Sequence, residues 1–428
     1  MPDPEYLRTL RALSDRLVAA QQPIRVLDAI AWDDSVKSAF FAGDCERQPA
    51  VDADYYRGRP LRFDPKEAHA RFDEISRDAE SAFGARDPAA RLLLRMCREY
   101  DTVISMLEAR GTPGFARLAG DLYGRATDPI FPDQPSLTDL AAALESTLTS
   151  IDAAAFEERH PRNLTTEEAV AILQRRLDET MQVDGMRVHV CVDDGIVADA
   201  AAGSDYIKLR AGARFSQQEL ALLEAHEGWV HVGTTLNGRA QPTCTFLGKG
   251  TPSTTVTQEG LAVLVEVTSL RSHPARLRRL TDRIHAIHMG EQGASFLEVY
   301  RAFVERGRSR DDAWAVSARA FRGGHPEAGP FAKDLSYSKG FVLIYNFLRL
   351  AVRHGRLERL PLLFAGKLTL DEVGLLADLT ERGVVVPPRF LPPGFAEPSA
   401  LVSWMACSNF LNRIDLARAE ASFAELLA

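Results

Sequence analysis

Two histidines and a glutamate lie close together in Ala225-His226-Glu227-Gly228-Trp229-Val230-His231, and a second carboxylate follows in Thr257-Gln258-Glu259-Gly260-Leu261-Ala262. These are the side chains of a mononuclear zinc hydrolase: imidazoles and a carboxylate hold the ion, and a further carboxylate moves the proton. The usual signature spaces its histidines four residues apart, on one helix face. Here they are five apart, about 140° round a regular helix. That is too far to share an ion about 2.0–2.1 Å from each nitrogen. The pair meets only if the helix contains an i→i+5 turn, or ends and bends before His231. Such turns are rare and concentrate at functional sites, and Gly228 lowers the cost of irregular backbone inside the motif. The competing reading is a chance histidine pair on an ordinary helix.

On the metal reading, Glu227 is the general base: it takes a proton from water activated by the metal and returns it to the leaving amine. Glu259 is the third ligand. Thr257 reads as the cap of a helix running to about His273, which puts Glu259 in its first turn. A carboxylate is favourable there in any case, so the alternative is a plain helix-start acid. Glu266 is a reserve ligand, or a partner that orients one histidine.

The run from His226 to Glu266, with Leu236-Asn237-Gly238-Arg239-Ala240-Gln241-Pro242 and Gln258-Glu259-Gly260-Leu261-Ala262, resembles the bacterial QEGLA-motif proteins, named for a supposed effect on flavohaemoglobin expression. Their eukaryotic relatives look like the microtubule-associated tyrosine carboxypeptidases, which remove a C-terminal tyrosine from α-tubulin. Leu13–Val18, Pro23–Trp32 and Phe331-x-Lys333-Asp334-Leu335-x-Tyr337, with Gly340 beyond, are also similar, so the resemblance covers most of the chain. It implies a zincin-like zinc metallopeptidase with Zn2+ on His226, His231 and Glu259, Glu227 as base, and a peptide or protein C-terminus as substrate. Two other classes stay open: a non-catalytic regulatory or interaction protein, and a metal-dependent hydrolase of a non-peptide amide or ester.

A carboxypeptidase also needs an oxyanion donor and a cation for the free carboxylate. Tyr337 or His325 could donate. Arg322 is the first choice for the cation, with Lys333 and Arg210 next. Each of these is otherwise an ordinary helix-end or turn residue.

The elements that must position these groups read as mostly α-helix with a small β-sheet, an α+β fold. Residues 4–125 are helical in pattern: Leu7, Leu10, Leu13 and Leu17 share a face, and Asp28–Phe41, 66–83 and 89–110 follow. Ser216 with Glu219, and Thr165 with Glu168, are capping boxes. Met186–Val192 alternates as a strand, with Ile196–Ala200 and Tyr206–Leu209 after it, and a peptide could add to such a sheet edge. Arg276, Arg278, Arg279 and Arg283 give one helix a basic face, read as solvated. Tyr337–Val352 is an apolar core helix.

Three prolines in residues 128–135 suggest a division into a helical region, 1–130, and a catalytic domain, 131–428. The net charge of −8 argues against a nucleic-acid partner. The chain lacks an apolar run of about 18 residues, so no membrane span is expected. The opening Met-Pro-Asp-Pro-Glu lacks a signal-peptide pattern. Its five scattered cysteines form no CxxC and read as reduced thiols of a cytoplasmic protein.

Overall fold

A computed structural model of the chain describes residues 2–151, 158–181, 187–196 and 198–427. Helices dominate, and a three-stranded sheet lies beside the histidine helix. Several N-terminal helices start in the same way. Asp3, Asp64 and Asp87 cap Pro4–Gln21, Pro65–Phe83 and Pro88–Glu108. In each, the aspartate accepts from first-turn N–H groups while the proline takes a position whose own N–H would be orphaned.

The stretch expected as one helix, Asp28–Phe41, is two: Val26–Ile30 and Asp34–Ala42. Ala31 is extended between them. Trp32 there packs against Phe296 and Trp314 and donates to the Tyr56 hydroxyl. The aromatic cluster outweighs helix continuity. The polar segment Asp44–Arg59 carries the short helix Ala53–Arg57 and buries Tyr56.

The strands are β1 (His189–Asp193), β2 (Ala200–Ala202) and β3 (Tyr206–Arg210), in the order β1-β3-β2. β1 runs parallel to β3 and β2 antiparallel to it. Met186 and Val197, included in the expected strands, lie outside the described residues. β2 falls later than the expected Ile196–Ala200. The turn into β3 fixes it there: the Gly203 N–H donates to the Tyr206 carbonyl at 2.7 Å. A Cβ on Gly203 would lie 2.2 Å from the Tyr206 ring, so a larger residue there would have to displace that ring. Ile207 and Leu209 point from β3 into the core and are fully buried.

The main apolar core runs from Leu10 to Met405, and a small separate cluster joins Val263, Leu280 and Tyr337. Polar latches cross it. Arg95 of Pro88–Glu108 bonds Glu372, Glu99, Thr251 and Ser253, and so grips the start of the helix Pro252–Thr268. Asn237 and Gln241 hold the segment 364–390 by its backbone. Asn237 Nδ2 donates to the Phe364 and Phe390 carbonyls at 2.8 Å, and its Oδ1 accepts from the Arg389 and Phe390 N–H groups. Gln241 exchanges bonds with Val386 in the same way. The Asn237 motif is thus a structural staple. Asn237→Ala would strand several buried backbone groups, and a loss of roughly 2–4 kcal/mol is expected in denaturant unfolding. A change below about 0.5 kcal/mol would refute that role.

Candidate metal and peptide-binding site

The Ser216–Glu219 capping box opens the helix Gln217–Leu223 as expected. The backbone then passes into i→i+5 hydrogen bonding over Glu224–Val232 before Gly233–Arg239 resumes the α-helix. This is the first of the two ways the five-residue spacing can work. The turn brings the His226 and His231 rings edge to face, 4.7 Å between centroids. Gly228 serves space as well as backbone freedom, because a Cβ there would sit 2.7 Å from Leu177 Cδ2.

Glu259 arrives from a different part of its helix than expected. The helix starts at Pro252, with Thr251 as its N-cap, and ends at Thr268. Glu259 is therefore mid-helix and 8% exposed, so the helix-start reading is corrected. Its Oε2 lies 3.4 Å from His226 Nε2 and 3.3 Å from His231 Nε2. Yet that oxygen is buried and makes no properly aligned hydrogen bond. Ligands on a tetrahedral ion at about 2.0–2.1 Å are themselves about 3.3–3.4 Å apart. The three atoms have the spacing of a metal cage, and His226, His231 and Glu259 form a group able to hold an ion.

Behind the triad, His226 Nδ1 contacts Glu266 Oε1 at 2.5 Å. Glu266 is fully buried and held by Arg276 through Nε and Nη2. Of its two expected roles, Glu266 occupies the orienting one: a proton on Nδ1 leaves Nε2 facing Glu259. Burial alone would raise the Glu266 pKa, but Arg276 and His226 bring it down to about 2. Burial would likewise lower that of His226, but the carboxylates of Glu259 and Glu266 beside it lift it to about 10. Burial also opposes ionisation of Glu259, and Lys333 and His231 reverse this, holding it well below the usual range.

Glu227 stands beside the triad, with Oε2 accepting the Ala202 N–H of β2 at 3.0 Å. The small sheet thus aims the carboxylate by its backbone. Tyr337, on the helix Leu335–Arg353, lays its ring 6.2 Å from that of His226 and nearly parallel to it. Cations surround Tyr337. Arg283 lies 4.4 Å from the ring centroid, and Arg276 and Lys333 each 5.7 Å.

Lys333 Nζ donates to Glu259 Oε1 at 3.2 Å. Arg319 binds Asp334 through both oxygens. Arg283 Nη1 and Arg322 Nε are buried without a hydrogen-bond partner. Burial, then the like charge of Arg319, lowers the Arg322 pKa to about 10. In this cluster Arg276, Arg283, Arg319, Arg322 and Lys333 outnumber Glu259, Glu266 and Asp334.

The basic helix is therefore not simply a solvated face. Arg279 is exposed, but Arg276 is buried beneath the site and the Arg283 side chain is only 13% exposed. Among the expected residues, Tyr337, Lys333 and Arg322 gather here. His325 is held locally, its Nδ1 accepting the Glu327 N–H. Arg210 is paired with Asp199 at 2.6 Å. Arg283, read from the sequence as part of a solvated face, also stands here, and Lys367 was missed. Burial pushes the Lys367 amine down to about 8, against the charges of Glu259 and Glu227.

Fold and site define a mostly helical α+β protein with a largely buried His-His-Glu triad and a cluster of basic side chains beside it. The family model of the microtubule-associated tyrosine carboxypeptidases matches residues 38–413, and the chain belongs to that family. No curated protein matches the chain. Among the described residues, no helix is long and apolar enough to cross a membrane.

Proposed function

We propose that this protein is a zinc-dependent carboxypeptidase of zincin-like type, within the QEGLA-motif branch of its family, acting on the free C-terminus of a peptide or protein. The observation that carries this reading is the stranded Glu259 oxygen between two imidazole nitrogens at tetrahedral-edge distances. His226, His231 and Glu259 would hold the ion. When bound, zinc polarises the scissile carbonyl and acidifies water. Glu227, steadied by Ala202, takes the proton from the attacking water and passes it to the leaving amine. Tyr337 donates to the developing oxyanion, with His325 as the other donor weighed. Arg322, joined by Arg283, offers unpaired N–H groups to the substrate carboxylate, and Lys333 adds charge. Arg210, already bound to Asp199, has a lesser part.

Metal content by mass spectrometry, with release of the last residue from free and C-terminally amidated peptides, tests this. About one zinc per chain is expected in the wild type and little in His226→Ala, with cleavage only of free C-termini. Absence of metal after zinc is supplied would overturn the reading in favour of a non-catalytic role. Equal cleavage of amidated peptides would favour a different amide or ester hydrolase.

Glu266→Gln keeps the volume but removes the charge behind His226. Zinc affinity is expected to fall about 10–100-fold, measured by competition with a chelating dye. Unchanged affinity would show that Glu266 does not tune the ligand.

A further inference from the structure

Segments 23–31 and 59–63, with Arg110, enclose a cavity of about 190 Å³. None of its lining residues belongs to the triad or to the cluster round Tyr337. Arg25, Arg59, Arg62 and Arg110 line it, against a single acid, Asp28. The chain as a whole carries a net charge of −8, so this cationic balance is local. The pairing there is incomplete. Arg59 is bound to Asp33, and its guanidinium lies 4.4 Å from the Tyr55 ring centroid. Arg62 reaches Asp28 only at 3.8 Å. The Arg25 side chain is exposed and pairs with nothing among the described residues.

Arg110 is the buried member, 9% exposed, just past the helix Pro88–Glu108. Its Nε donates to the Leu107 carbonyl and its Nη1 to that of Ala29, each at 2.8 Å. The C-terminal ends of two helices thus hold it, as their dipoles favour. Both partners are neutral groups. Among the described residues no carboxylate pairs with Arg110, and its Nη2 has no hydrogen-bond partner. Burial holds its pKa below the ordinary arginine value, and the Tyr56 phenol offsets this only in part. A buried cation without a counter-charge is costly, and an anion in the cavity would relieve that cost.

We propose that this cavity binds a small phosphate-bearing molecule. Its phosphate pairs with Arg110 and Arg25, and a short carbon body lies against Pro60, Leu61 and Phe63. Every cation in the lining is an arginine. The planar guanidinium fork matches phosphate oxygens in pairs, where lysine offers only a point charge. The size agrees: an apolar cavity of about 150 Å³ accepts a benzene molecule, so a phosphate with a few carbons fits this one. The site is independent of the carboxypeptidase reading.

The test titrates the full chain with inorganic phosphate and with n-propyl phosphate by calorimetry. The ester is expected to bind at about one molecule per chain with Kd below about 1 mM, and about threefold or more tighter than inorganic phosphate. Arg110→Met should weaken both about tenfold or more, since a hydrogen-bonded charge is lost. Arg25→Glu should weaken both about threefold or more. Arg322→Gln, in the cluster by Tyr337, should change neither. Absence of binding at about 10 mM ligand would overturn the proposal. So would loss of binding in Arg322→Gln with full binding in Arg25→Glu, which would put the anion beside the triad instead. An ester that binds no tighter than inorganic phosphate would remove the carbon body from the proposal. If Arg110→Met is misfolded by circular dichroism, Arg25→Glu decides, because its side chain is exposed and bonds nothing in the fold. Unchanged affinity in that variant would overturn the proposal.

Discussion

Glu227→Gln is expected to retain its zinc and its fold while losing about 10²–10⁴-fold in kcat on a peptide with a free C-terminus. The argument is geometric. Glutamine keeps a carbonyl oxygen that can still accept the Ala202 N–H, so the side chain stays aimed as Glu227 is. It cannot accept a proton from water. The ligands His226, His231 and Glu259 are untouched. Steady-state kinetics with metal analysis on the same sample separates the two effects. Full activity with full metal would remove Glu227 from the mechanism. Loss of both would mean that Glu227 helps to hold the ion.

Gly340→Ala is expected to destabilise the protein by roughly 3 kcal/mol or more and to reduce activity with it. The helices Pro252–Thr268 and Leu335–Arg353 cross with backbone against backbone at Gly260 and Gly340. A Cβ on Gly340 would lie 1.9 Å from the Val256 carbonyl oxygen and 2.8 Å from Gly260 Cα. No flexible side chain can yield there, so the helices must separate. Glu259 is on one helix, Tyr337 is in the first turn of the other and Lys333 lies just before it, so separation pulls the basic cluster away from the triad. Gly260→Ala should behave alike. Gly374→Ala, on an open helix face, is the control and should be neutral or slightly stabilising, by about 0.4–1 kcal/mol. Denaturant unfolding reads all three. A Gly340→Ala protein as stable as the control would refute the crossing as the determinant.

Much of this was written in local signals. The capping boxes at Ser216 and Thr165 are short-range chemistry and fold as read. The odd spacing of His226 and His231 demanded an i→i+5 turn or a bend, and the turn is what forms. The start of the Glu259 helix was missed although its signal was present: Thr251-Pro252 is the same cap-then-proline pattern as Asp3-Pro4. The polar run around it masked the pattern.

Other features were illegible for physical reasons. A lone sequence of arginines does not reveal which are buried, because Arg276 and Arg283 are drawn inward by Glu266 and Asp334, whose positions only the tertiary fold sets. The Ala202–Glu227 bond uses a main-chain N–H, and alanine's side chain carries no trace of it. Gly340 was noticed as part of a family pattern. Its reason, a helix crossing, lies in a partner eighty residues away.

The i→i+5 turn also bears on how such a site can change over generations. Deleting Gly228 would restore the common four-residue histidine spacing in one step. Everything after the deletion would then have to rotate by about 100° and advance by about 1.5 Å. Asn237 and Gln241 are fastened to the 364–390 backbone and resist that movement. The single-residue route towards the ordinary motif is therefore blocked from downstream. Such a deletion would be accommodated only with a matching change at these anchors.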